Sequence, residues 1–148
     1  MDKWDRRFFN LATTAKLWSK DPHCRVGAVI VHPDIGQFSM GYNGLPAGIE
    51  DKPEILEDKE LKNKLTVHAE VNAILNARCT VEGWTMYCTK APCIDCATTL
   101  IQAGIAQLNC PEPDKSSSWY DENIIAMNLL KQAQIDVYFV RDGLLLEY

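Results

Sequence analysis

Two pairs of residues have types and spacings suited to chemistry. His68 and Glu70 stand two apart in "LTVHAEVNAILNARC" (Leu65–Cys79), and Cys93 and Cys96 stand three apart in "APCIDCA" (Ala91–Ala97). An imidazole and two thiolates are zinc donors, and three protein ligands leave the fourth tetrahedral position open, as in catalytic rather than structural sites. A carboxylate that is not needed as a ligand can then take the proton of a water in that position. This is the chemistry of metal-assisted hydrolysis. Each pair alone also has a plainer reading. H-x-E describes a polar helix start with its acid set favourably against the macrodipole. C-x-x-C describes a redox pair or two buried cysteines, although a redox pair normally follows the first strand of its fold and this one comes late.

Both pairs need helix starts to position them. In mid-helix His68 and Glu70 would point to nearly opposite sides. At a first turn both side chains can reach a ligand beyond the helix end, and Val67, Val71 and Ile74 mark the apolar face of such a helix. A second helix is expected to begin near Pro92 and run through "CATTLIQAG", with Pro92 in its first turn and Gly104 as its stop. There the i, i+3 spacing puts both sulfurs on one side, and the helix N-terminus stabilises thiolates.

The surrounding elements read as follows. Trp4, Phe8, Leu11, Ala15 and Trp18 predict an amphipathic helix from about Asp2 to Ser19 that packs on the core. "RVGAVIV" (Arg25–Val31) is a buried strand, "HPDIGQ" a turn and "QFSMGY" the return strand of a hairpin. "NGLPAGIEDKPEILEDKELKNKL" reads as a surface excursion ending in a short solvated helix. Thr85–Lys90 and "IAQLNC" are strands, "CPEPDKSSS" is a loop, the stretch from about Trp119 to Ala133 is helical, and "IDVYFV" is the last strand. The order predicts an α/β layered sandwich whose later strands are parallel. In such sheets sites lie beyond the carboxyl ends of strands, so both helix starts should face one edge.

A chain of 148 residues with 47% apolar residues suits one compact domain, residues 1–148. No run has the length of a membrane span or a signal peptide, so the protein is expected in the cytosol. In a reducing compartment, its six cysteines read as metal ligands or buried small groups. The formal charge of −5, with no basic block, argues against a polynucleotide partner. A small anion held by one or two local cations stays open.

Together the two pairs make H-x-E…P-C-x-x-C, the known signature of zinc nucleobase deaminases. Attack on C4 of a cytosine needs hydroxide at neutral pH, and Zn²⁺ lowers the pKa of bound water from ~15.7 to about 7. Glu70 would take that proton, pass it to ring N3, and then protonate the departing amine so that ammonia leaves. "SKDPHCRVGAVIV", "GYNGLPAGIED", "HAEVNAI" and "APCIDCA" resemble the deoxycytidylate (dCMP) deaminases from Asp2 to Gly104, and "CPEPDKSSSWYDENI" resembles their bacterial and phage branch.

The resemblance implies a cytidine-deaminase-like three-layer sandwich, with a central mixed five-stranded sheet and helices on both faces. It implies conversion of dCMP to dUMP for thymidylate synthesis, in a homohexamer activated by dCTP and inhibited by dTTP, the triphosphate carrying Mg²⁺. A phage-encoded member would act in the host cytosol. By position it makes His68, Cys93 and Cys96 the ligands of one catalytic Zn²⁺ and Glu70 the proton shuttle. Asn43, Arg25 and Tyr120 match substrate-binding segments, and Lys20, Asp21, Asn43 and Gly44 match effector-proximal ones. Gly41 and Gly44 would permit close backbone approach to a ligand. A tight Asn-Gly turn and a solvated loop are the alternatives for these segments.

Cys24, Cys79, Cys88 and Cys110 read as buried cysteines, with a second, structural zinc near His23–Cys24 as an alternative. Rival readings are a deaminase of free cytidine, of an adenine or guanine base, or of tRNA, and a zinc-stabilised interaction module without chemistry. Net acidity disfavours tRNA, the long excursion and "KDP" favour dCMP, and a purely structural site has no use for Glu70.

Overall fold

A computed structural model describes residues 1–148. β1 (Gly27–Val31) and β2 (Phe38–Tyr42) form the expected antiparallel hairpin. β3 (Thr85–Cys88) joins β1 antiparallel, and β4 (Gln107–Cys110) and β5 (Asp136–Arg141) follow in parallel. Parallel neighbours need crossovers, and each is a helix here: α5 (Ile94–Gln102) between β3 and β4, and α6 (Tyr120–Gln132) between β4 and β5. A strand absent from the sequence reading, β6 (Leu144–Glu147), closes antiparallel onto β5. The sheet therefore has six strands, in the order β2-β1-β3-β4-β5-β6, rather than five. Asp142 (φ 49) and Gly143 (φ 77) make the two-residue turn before β6, and paired positive φ matches the twist of flanking strands.

Helices cover both faces, as expected. α1 (Lys3–Lys16) lies on one face, where Phe8 and Ala12 meet Val29, Val31 and Tyr87. Its start is a capping box: the Asp2 carboxylate accepts from Trp4 N and Asp5 N, while Asp5 accepts from Asp2 N. It ends before Trp18, which stands exposed with its ring edge against Tyr42 instead of continuing the apolar stripe. On the other face α4 (Ala69–Ala77), α5 and α6 pack over Ile30, Met86 and Leu108, joined by Leu100, Met127 and Leu130. Buried on both faces, β1 is apolar throughout, as central strands are.

Gly41 is where β2 meets α4. A Cβ there would come within 2.4 Å of Ala73 N and 2.5 Å of Ala69 O. The close approach it permits is to a helix of the protein itself, not to a ligand as the sequence suggested. Around Gly44 a Cβ would meet nothing within 4 Å.

The excursion is closed at its base by two backbone hydrogen bonds between Gly44 and Val67, of 3.1 and 2.8 Å. It carries two short helices, α2 (Pro53–Leu56) and α3 (Lys59–Leu65), where one was expected. Nor is α3 wholly solvated, because Lys62 is buried against Asp21. Its Nζ donates to Asp21 Oδ1 at 2.8 Å, with side chains only 4% and 7% exposed. Asp21 also accepts from His23 N and Cys24 N. Burial would raise its pKa, but these bonds outweigh burial and hold it below the ordinary 3.8. The stabilisation is thus full above about pH 4 and is lost as pH falls through the depressed value.

Asp21→Ala is expected to cost roughly 3–5 kcal/mol, because it strands a buried ammonium and two amides. Asp21→Ala combined with Lys62→Met should cost less than the sum of the single changes, as measured by urea unfolding of all three variants. Strictly additive losses would mean that the pair is not coupled. No helix is long and apolar enough to cross a membrane.

Candidate active site

The two pairs do occupy helix starts, with small shifts from expectation. His68 is the N-cap of α4, with extended backbone (φ −73°, ψ 155°), and Glu70 is its second helical residue. Cys93 is the N-cap of α5 (φ −79°, ψ 176°), so Pro92 stands just outside the helix rather than in its first turn. The Cys93 sulfur accepts from Cys96 N at 3.4 Å, which fixes the loop that carries it.

Across 25 and 28 residues of chain, His68 Nδ1 comes within 3.5 Å of Cys93 Sγ and 3.2 Å of Cys96 Sγ. All three ligand atoms lie within 4.8 Å of one another, and no other His, Cys, Asp or Glu group of three does so. Around a tetrahedral zinc, nitrogen and sulfur ligands stand roughly 3.6 Å apart, so the triad fits the ion with little adjustment. Its electrostatics agree. The hydrogen bond from Cys96, against burial and with help from His68, brings the Cys93 thiol down to about 4. Cys96, the donor of that bond, is pushed up by it and by burial. The bond to Cys93 outweighs burial to raise His68. The three groups already share protons that one divalent cation would replace.

Glu70 is 4% exposed and stands outside the ligand triad. Burial pushes its carboxyl above the ordinary 4.5, so it holds a proton more readily than a surface glutamate. Glu70, His68 and Cys93 line a cavity of about 160 Å³. α3 supplies Lys59, Lys62 and Asn63 to its wall, the segment before Cys93 supplies Lys90, and α6 with its N-cap supplies Asn123 and Trp119.

The remaining expected site residues divide. Asn43 lines the cavity, but its amide is already in use. Oδ1 accepts from Val26 N at 2.7 Å, Nδ2 donates to Cys24 O at 2.8 Å, and its own carbonyl accepts from Ser19 Oγ. Asp21 also lines it, tied to Lys62. Arg25 lies outside it, exposed, with Nε bonded to Asp21 O. Lys20 is a surface cation paired with Asp51 at 2.8 Å. Tyr120 is the first residue of α6 and does not line the cavity, whereas its neighbour Trp119 does.

Lys59, Lys62, Lys90, Trp119 and Asn123 were missed. Lys90 could have been found, since it stands two residues after β3, just ahead of the cysteine motif. The α3 lysines could not, because a charge-dense segment reads as solvated surface. Among the other cysteines, Cys88 and Cys110 are buried thiols whose pKa burial raises. Cys79 is exposed, and Cys24 is half-buried with Lys90 Nζ 3.2 Å from its sulfur, so neither is the buried cysteine expected.

A three-donor metal triad beside a buried non-ligating carboxyl, at the carboxyl edge of a mixed sheet, defines a zinc-dependent hydrolase. Residues 2–111 match the cytidine and deoxycytidylate deaminase zinc-binding region. The chain belongs to this family. It is 40% identical over 140 residues to an uncharacterised deaminase of Aliivibrio fischeri, covering 93% of each chain. It is 38% identical over 112 residues to human deoxycytidylate deaminase, covering 72% of this chain and 63% of that protein. The dCMP deaminase of cyanophage S-TIM5, solved with dCMP and dUMP, has the same fold (TM-score 0.74, 22% identity), covering 95% of this chain and 99% of that one.

Proposed function

We propose that the chain hydrolyses dCMP to dUMP and ammonia, with residues 1–148 acting as one deaminase domain. The observation that carries the substrate is the charge of the cavity. Lys59, Lys62 and Lys90 line it together with His68, Cys93 and Glu70 in a protein of net charge −5, and Asp21 balances only Lys62. A cation-lined cavity in an acidic protein suits a small anion, and a nucleoside monophosphate supplies one. The named activity of the deoxycytidylate deaminase relatives supports the same reading.

In this reading His68, Cys93 and Cys96 hold Zn²⁺, which when bound lowers the pKa of water to about 7 and so supplies hydroxide at neutral pH. Glu70 takes the proton of the attacking water, places it on ring N3, and later protonates the amine that leaves C4. Its burial keeps bulk water from competing for that proton. Lys90 and Lys59 attract the 5′-phosphate, while the charge of Lys62 is balanced by Asp21. The interaction-module alternative leaves the position and burial of Glu70 without a purpose.

The same reading includes cytosolic action, in the host cytosol for a phage-encoded chain, which six free thiols suit. It also includes a homohexamer raised in activity by dCTP with Mg²⁺ and lowered by dTTP. This regulatory part rests on the resemblance of the Lys20–Arg25 and Gly41–Gly44 segments to effector-proximal ones.

One experiment tests these readings together. Initial rates with dCMP and deoxycytidine, each with and without dCTP or dTTP, should show at least about tenfold preference for dCMP in kcat/KM. That preference should fall with added salt. Equal rates on both substrates would move the assignment to a nucleoside deaminase. A dCMP curve indifferent to both triphosphates would remove the regulation and leave the reaction.

A further inference from the structure

Asn123 is 3% exposed on α6, yet only half of its amide is in use. Nδ2 donates to Pro92 O at 2.8 Å and to Ala91 O at 3.4 Å. Reversing the amide would set its oxygen against two carbonyl oxygens, so its orientation is determined. Oδ1 then faces away from both, and no group of the protein donates to it. It is not sealed in the core either, because the one buried side-chain polar atom without a partner is Asn109 Nδ2. Asn123 lines the cavity, so this acceptor opens onto it.

We propose that Asn123 Oδ1 is a specificity-determining acceptor for the sugar 3′-hydroxyl of the substrate. This rests on the dCMP reading. That nucleotide has two kinds of hydrogen-bond donor, the exocyclic amine and the 3′-hydroxyl, since the 2′ position is deoxy and the 5′ oxygen is esterified. The amine is bonded to the attacked carbon and must stand over His68, Cys93 and Glu70. Asn123 is tethered to the Ala91 and Pro92 carbonyls and makes no hydrogen bond to His68, Cys93, Cys96 or Glu70. The phosphate belongs with the lysines. Between base and phosphate lies the sugar, and its one hydroxyl is the donor left to meet α6. Asn43, the residue that sequence alone would choose for a sugar hydroxyl, is committed to Val26 N and Cys24 O. An acceptor locked by two carbonyls is pre-organised and cannot turn away, so a nucleotide lacking the hydroxyl leaves it unsatisfied.

The test compares kcat/KM for dCMP and for 2′,3′-dideoxycytidine 5′-monophosphate, with zinc content measured alongside. The wild type, Asn123→Ala and Asn123→Ser are used. Both substitutions withdraw the acceptor together with its tether to the Pro92 carbonyl, and the zinc content shows whether the metal site survives that loss. Loss of the 3′-hydroxyl is expected to cost the wild type about tenfold to a hundredfold and each zinc-replete variant less than about threefold. An equal penalty in wild type and variants, or no penalty in the wild type, would overturn the inference. Failure of the wild type to turn over dCMP at all would instead overturn the substrate reading, and this inference with it.

Discussion

Glu70→Gln is expected to keep the fold and one zinc per chain while losing about 10²–10⁴-fold in kcat. The substitution is nearly isosteric and lies outside the ligand triad, so it leaves the metal donors unchanged. It removes the one group that can carry a proton from water to ring N3 and then to the departing amine. Stability should not fall. Burial penalises the carboxylate at this position, and a neutral amide escapes that penalty. Thermal unfolding, metal analysis and steady-state rates on the same preparation check all three expectations. A zinc-replete Glu70→Gln protein with near-normal turnover would defeat the proposed shuttle.

Cys93→Ala and Cys96→Ala are each expected to weaken zinc binding by more than about 10²-fold. Loss of even an outer hydrogen-bond partner costs 10–100-fold at such sites. Because metal binding and folding are coupled, the variants should also melt at lower temperature. Cys93 caps α5 as well as offering a ligand, so its removal should cost more stability than that of Cys96. Chelator should lower the wild-type melting temperature and leave both variants nearly unmoved, which separates loss of metal from loss of packing. Cys79→Ser, at an exposed thiol that does not line the cavity, serves as the control and should match the wild type throughout. One tightly held zinc per chain in both cysteine variants would place the metal elsewhere.

Most of the fold was legible because its signals are local. The hairpin of β1 and β2, the helix starts at His68 and Cys93, and the strand–helix alternation after β3 all follow from patterns within a few residues. β6 was legible too and was missed. Asp142–Gly143, ahead of the apolar run "LLLE", is a strong two-residue hairpin signal. Reading the chain as finished at Val140 overlooked it. The burial of Lys62 had no comparable signal, since its partner Asp21 is 41 residues away and a lysine among charged neighbours looks solvated.

The sequence by itself determined the donor types, their spacing within each pair, and the carboxyl placed beside them, and these were enough to name the chemistry. Residue type and i, i+2 or i, i+3 geometry are properties of a single turn of chain. Only the tertiary structure decided that the pairs meet at 3.2 and 3.5 Å, which lysines face the cavity, and which asparagine keeps a free acceptor. Asn43 and Asn123 show why. Both are buried amides beside the same cavity, but one closes a loop between Cys24 and Val26 while the other hangs from two carbonyls on a different element. Whether a polar group is spent on the fold or left for a ligand depends on which distant segments pack against it, and no local pattern in the chain encodes that.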